Sequence, residues 1–530
     1  MQVGRSRLPL PRQGLGRPLV LGVVLAAATL AGCASVSDPG ASAGSGVRRA
    51  SAEKPISAAR ASAGDARIVH VLNRIGYGPR PGDIERVRAM GLAAYIEQQL
   101  SPGPSSSPAV ETALESLPTL RLSIPELLRE YPRPNQAVLE QLASGQMSPQ
   151  EYREQVPPEK RPARIVAQLQ AARIVRAVAS ERQLEEVLVD FWLNHFNVFA
   201  NKGDVRWYVT SYERDAIRPH VFGKFGDLVR ATARHPAMLY YLDNWLSAKP
   251  GFIVPAGPNR GSPAGLNENY ARELMELHTL GVDGGYAQQD VTEVARAFTG
   301  WTIDRPRVNG RFVFRPTMHD TGVKAVLGQK IAGDGGEREG ERVIEILTHH
   351  PSTARFIATK LTRRFVSDDP PPALVERVAA TYRRTDGDVR AMLRVILSSP
   401  EFYANETRQA KIKKPFELVA SAVRALGGTV DARGGHELAR AAARIGEGLY
   451  EAQPPTGYAD RAEAWVNTGA LLARMNFALA LAQGRFPGVR VDVESLVAGA
   501  DPREPASVLD RLLAAIVPQQ VGEGTRAVLT

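Results

Sequence analysis

The chain reads as a mainly α protein, a large multi-helix domain with one small β-hairpin insertion near residues 301–328. Three observations predict this. Apolar residues recur at three- and four-residue steps through most of the chain, as in Ile165, Leu169, Ala172 and Val175. Proline and glycine punctuate those stretches at intervals suited to helices. Strand-like character is confined to Phe312-Val313-Phe314 and a second short run at 323–327. With 530 residues, 44% of them hydrophobic and 23% charged, the chain can bury a sizeable core.

The N-terminus sets the expected compartment. Arg5, Arg7, Arg12 and Arg17 flank or precede an apolar run at 19–30, and Leu30-Ala31-Gly32-Cys33 closes it. The run is shorter than the roughly 20 residues of a membrane-crossing helix and has the flanks of a signal peptide. Leu-Ala-Gly-Cys resembles the bacterial lipoprotein box. Residues 1–33 are therefore expected to be a lipoprotein signal peptide ending at Cys33, whose lipid attaches the protein to a membrane. Ala34, where Asp would signal retention, favours the outer over the inner membrane of the cell envelope. Residues 34–64, mostly Ala, Ser and Gly, are expected to be a flexible tether. Gly40-Ala41-Ser42-Ala43-Gly44 and Ser51-Ala52-Glu53-Lys54 spell nucleophile motifs, but neither has the strand-to-helix or helical context that such chemistry needs.

The formal charge is +10, yet four of those cations lie in the first 33 residues, which hold no Asp or Glu. The remaining excess is mild, and no nucleic-acid motif accompanies it, so no nucleic-acid partner is expected. Cys33 is the one cysteine, which excludes disulfides, zinc–cysteine clusters, iron–sulfur sites and c-type haem attachment. No nicotinamide fingerprint is present.

The mainly helical domain is expected over 65–530, with a sub-boundary near 330. A short helix ends at Gly76-Tyr77-Gly78, and a second is expected over 81–99. Short helices and loops fill 109–160. A clear helix spans 162–179, and Ser180-Glu181-Arg182-Gln183 has capping-box form for the next. Along that helix Leu184, Leu188, Phe191 and His195 form one apolar stripe, while Glu186, Asp190 and Asn194 stack on another face. His195 is either a core histidine or an acid–base group or ligand at a cleft. Helices are expected over 206–220, 222–235 and 237–246, with His235-Pro236 as a break. The runs at 312–314 and 323–327, flanking Thr317-Met318-His319-Asp320-Thr321-Gly322, suggest a hairpin. Helices return from 337, at 352–365, up to 397, over 415–426 and around 465–482.

Residues 267–301 are the densest run of ionisable and aromatic side chains, and read as two short helices joined at Gly284-Gly285. On an α-helix Glu273 and Glu276 lie about 60° apart, whereas His278 is about 140° from Glu273 and about 160° from Glu276. A Glu–Glu–His metal site on this helix alone is excluded unless the helix unwinds at His278. Glu268, Arg272, Glu273 and Glu276 read most simply as a salt-bridged solvated face, worth a few tenths of a kcal/mol per pair. A site would have to be assembled between segments, from Glu273, Glu276, His319 and Asp320 with His195 as acid–base candidate, and a divalent metal is one cofactor such donors suit.

Asn269-Tyr270-Ala271-Arg272-Glu273-Leu274-Met275-Glu276-Leu277-His278-Thr279-Leu280-Gly281, then the run from Asp290 to Trp301, then His319-Asp320, resembles the bacterial family catalogued as domain of unknown function 1800. Leu72-Asn73-Arg74-Ile75-Gly76-Tyr77-Gly78 and Phe191-Trp192-Leu193-Asn194-His195-Phe196 support it. The resemblance implies a large, exported, mainly helical protein with no catalytic residues to carry over. It also implies a co-exported, sulfatase-related partner. The first functional expectation is an envelope lipoprotein that binds a protein partner or extracellular polymer. The alternative is a metal-assisted hydrolase.

Overall fold

The computed structural model describes residues 63–103, 107–255, 260–518, 521 and 523–529. Cys33, the signal peptide and the tether to residue 62 lie outside the described residues. Among the described residues the fold is mainly α, with 24 α-helices and four two-stranded antiparallel sheets. No helix in that set is long and apolar enough to cross a membrane.

One contiguous apolar core takes side chains from Ile68 to Leu513. At its centre the Ala163–Ala179 helix, buried along most of its length, packs most extensively against the Ala432–Ile445 helix. Small residues make that crossing possible. A Cβ on Gly435 would stand 2.7 Å from the Ala171 carbonyl oxygen. The Ala432–Ile445 helix is not among the elements expected from the sequence, because its alanines and glycines carry little apolar contrast.

Several local expectations are corrected. The helix expected over 81–99 is two, Asp83–Met90 and Leu92–Leu100, divided at Gly91 with φ 90° and ψ 133°. The helix after Ser180 starts only at Gln183. The Gln183 amide is instead drawn into tertiary bonds, accepting from the Tyr77 N–H and donating to the Ser180 and Ala177 carbonyls. Asp290 is the third residue of the Gln288–Ala297 helix, where its Oδ2 accepts the Ala287 N–H at 2.9 Å. His235 and His350 start the Pro236–Tyr241 and Pro351–Phe365 helices, each Nδ1 accepting a backbone N–H two residues on. His-Pro is thus a helix start in this fold as well as a break.

The β region pairs differently from expectation. Phe312–Phe314 lies in the strand Arg311–Phe314, which pairs with Trp301–Asp304, while Lys324–Val326 pairs with Gln329–Ile331. Two hairpins stand where one was expected. Leu327 and Gly328, at φ 48° and 75°, close the second one, so the 324–326 strand turns back on itself before it can reach 312–314.

Candidate functional site

His195 ends the Gln183–His195 helix, and the apolar stripe that precedes it carries its ring into the core, where it is 2% exposed. The ring is parallel to Phe191 at 6.4 Å between centroids and edge-on to Phe196 at 4.5 Å. Its Nε2 is 3.0 Å from the His278 carbonyl oxygen, which can only accept, so Nε2 carries the proton. Nδ1 is buried without a partner among the described residues. Burial, the Lys360 charge and His278 hold its pKa well below the usual histidine value. His195 is a neutral imidazole with an uncommitted lone pair.

His278 reaches this position because the helix widens. The α-helix Asn269–Glu273 passes into a π-helix, Leu274–Thr279, in which the Leu280 N–H bonds the Met275 carbonyl at 2.9 Å. Angles derived from a regular α-helix therefore do not apply past Leu274. His278 is 1% exposed, its Nε2 has no hydrogen-bond partner among the described residues, and burial with Lys360 lowers its pKa to about 3. A second π-helix, Tyr212–Ile217, carries Glu213 into an ionic cluster in the interior. There Arg218, Arg173 and Arg176 hold Glu213 at about 2 against the effect of burial.

That cluster continues through the polar face of the Gln183–His195 helix. Asp190 accepts from Arg173 at 2.9 Å and from Lys414 at 3.0 Å, and Glu186 takes both terminal nitrogens of Arg218 at 2.9 Å. Asn194 makes a reciprocal pair with the backbone of Tyr458, donating to its carbonyl at 2.8 Å and accepting its N–H at 2.7 Å.

Asn194 and Tyr458 open onto a cleft of about 270 Å³, lined also by His195, Lys360, Arg363 and Asp460. Most of its charges are already matched. Lys414 has Asp190 and Glu447, Arg364 has Glu417, Arg461 has Asp369, and Lys411 holds Asp460. Two cations have no carboxylate partner among the described residues. Lys360 lies 5.4 Å from the Phe356 ring centroid, and burial lowers its pKa to about 8. Arg363 donates from Nε to the Asp368 carbonyl at 3.0 Å and leaves the rest of its fork uncommitted. Sequence reasoning missed both, because each sits on an ordinary-looking helix, Pro351–Phe365, three residues apart. The signal was the absence of an acidic residue anywhere along that helix.

The residues expected to form a site fall into separate environments. Glu273 is partly buried with no hydrogen bond or ion pair among the described residues, and burial and Glu276 raise its pKa. Glu276 is 3.4 Å from Arg272 and accepts from the Tyr286 hydroxyl. His319 is buried against Phe314, with Nδ1 donating to the Thr299 carbonyl at 2.8 Å and Nε2 3.3 Å from Glu339, which also holds Lys324. Asp320 takes Arg296 in a two-point contact, 3.0 Å at each oxygen, and Arg296 holds its pKa below the usual range. No contact joins Glu273 or Glu276 to His319 or Asp320, and no three His, Cys, Asp or Glu side chains group as a metal-binding set among the described residues.

The family model described as "Protein of unknown function (DUF1800)" matches residues 70–530. The chain belongs to the DUF1800 family. No curated protein and no solved structure matches it. In this DUF1800 chain the stretches that resemble the family meet at the two histidines: Phe191 to Phe196 supplies His195 and Asn194, and Asn269 to Gly281 supplies His278.

Proposed function

We propose that this DUF1800 protein is a lipid-anchored envelope lipoprotein that binds a partner or extracellular polymer through an acidic group seated in the Lys360–Arg363 cleft. The observation that carries this reading is the pair of cations without carboxylate partners in a cleft whose other charges are matched. A desolvated cation without a counter-ion is costly unless a ligand provides one. Tyr458, Phe191 and the Asn194–Thr456 rim add ring faces and hydrogen-bonding groups suited to a sugar acid.

The test is calorimetry of the unlipidated Cys33→Ser protein with a polyuronate oligosaccharide and its neutral counterpart. The acidic ligand should bind at least tenfold more tightly, and Lys360→Ala should remove that preference. Equal affinity for the two ligands would overturn the reading. For the anchor, Cys33→Ser should move the protein from the membrane to the soluble fraction, and identical fractionation of variant and parent would count against it. A pull-down of the lipidated protein tests the expected sulfatase-related partner.

Glu273 favours a second reading, a hydrolase. A partly buried carboxyl group with a raised pKa and no partner has the properties of a general acid or base. Hydrolysis of the bound polymer, lost in Glu273→Gln with binding retained, would support it. Product release undiminished in that variant would exclude it.

A further inference from the structure

We propose that Ser421 and Lys413 form a serine–lysine nucleophilic pair for acyl transfer. Ser421 lies in the Pro415–Ala425 helix and Lys413 two residues before it. Lys413 Nζ is hydrogen-bonded to Ser421 Oγ and donates to Asn73 Oδ1 at 2.8 Å. No carboxylate pairs with Lys413, and Ser421 Oγ has no other partner among the described residues. That is the geometry of a hydroxyl beside its base.

The charged groups packed around Lys413 favour its neutral form. Burial lowers its pKa to about 8, opposed by Glu417 and reinforced by Arg424, both of the Pro415–Ala425 helix, and by Arg74 of the Ala63–Arg74 helix. Glu417 is itself engaged by Arg364, and Arg424 by Asp83. Arg474 donates to the Lys413 carbonyl at 2.9 Å, which fixes the backbone that presents the amine. Near pH 8 about half of the Lys413 population has a lone pair to receive the serine proton.

The pair is partly exposed, and the buried Gly78 backbone packs directly against it. At φ +94°, a Cβ on residue 78 would stand 2.9 Å from Ser421 Oγ, 3.2 Å from Asn73 Oδ1 and 3.3 Å from Lys413 Nζ. A side chain at 78 would press on all three groups and displace the pair, so glycine is what lets it stand.

The chemistry balances without a cofactor. Ser421 Oγ bonds to the carbonyl carbon of an ester or amide as its proton passes to Lys413 Nζ. The C–O or C–N bond breaks, and the leaving group takes that proton. Water then adds to the acyl-serine, giving a proton to Lys413. Collapse releases the acid and returns that proton to Ser421 Oγ.

A fluorophosphonate probe tests the pair in the full-length Cys33→Ser protein, with the labelled peptide read by mass spectrometry. Ser421 should be labelled, at a rate rising with pH through about 8, and Ser421→Ala should remove the label. Lys413→Arg keeps the donors that would clamp Asn73 and Ser421, but cannot take up a proton. It should fold, as judged by circular dichroism, and label at least tenfold more slowly. If Lys413→Arg fails to fold, the pH–rate profile of the parent decides. No label on Ser421, a rate independent of pH across 7–9, or undiminished labelling of folded Lys413→Arg would overturn the proposal.

Discussion

His195 and His278 are joined by one hydrogen bond, 3.0 Å from the Nε2 of the first to the carbonyl oxygen of the second. It ties the end of the Gln183–His195 helix to the π-helix Leu274–Thr279, and leaves both rings neutral and buried.

This neutrality predicts acid sensitivity. His70 and His278 have folded pKa values of about 4 and 3, and His195 is also held well below 6.5. Below pH 6.5 the unfolded chain binds protons that the folded chain refuses. Stability is thus fully present above 6.5 and lost as pH falls toward 4, by up to about 1.4 kcal/mol per pH unit for each histidine. Urea midpoints measured from pH 7 to 5 should fall, and His278→Gln should flatten the slope by about a quarter at most, because burial lowers the pKa of His235 to about 3 as well.

The buried ionic cluster predicts a contrast between two acid–base pairs. Asp190→Ala leaves Arg173 and Lys414 without their shared carboxylate, and should cost about 3–5 kcal/mol. Arg272→Ala, on an exposed row beside Glu268 and Glu276, should cost less than about 1 kcal/mol. Chemical denaturation of both variants measures the difference.

Lys360 predicts a conflict between stability and binding. Its folded pKa of about 8 lies below its ordinary 10.5, so the unfolded chain holds more protons between those values and stability rises with pH across that window. Lys360→Met should raise the denaturation midpoint at pH 7 and reduce the rise above pH 8. The rise should not vanish, because Lys413 titrates in the same range.

Asp290 predicts a local effect. Its two oxygens accept the N–H groups of Ala287 and Leu327, joining a helix start to the tight turn of the second hairpin. Asp290→Ala should cost about 1–3 kcal/mol and speed amide exchange at residues 324–331 more than elsewhere.

The helical class was legible because most helices bury one face, and a buried face writes its spacing into the sequence. The Pro351–Phe365 helix was expected almost to the residue, with proline at its start. What failed to show depends on distant partners. Gln183 is drawn from its cap by Tyr77, and Lys324 leaves its expected pairing for a two-residue turn and a bond to Glu339. At the site, Glu273, His195 and His319 stood out by residue type, but type cannot tell which cation lacks a counter-ion. Lys360 and Arg363 emerge only when every neighbouring carboxylate has been assigned to another partner.

The π-helix Leu274–Thr279 makes segment length itself part of the code. Its hydrogen-bonded ring encloses one residue more than an α-turn does. Deleting one residue inside it would let an ordinary α-turn close with the downstream chain nearly in register, but would remove the wide turn that carries His278 into the core. The turn at Tyr212–Ile217 imposes the same restriction on Glu213. At these two places the chain can tolerate a changed letter far more readily than a changed count.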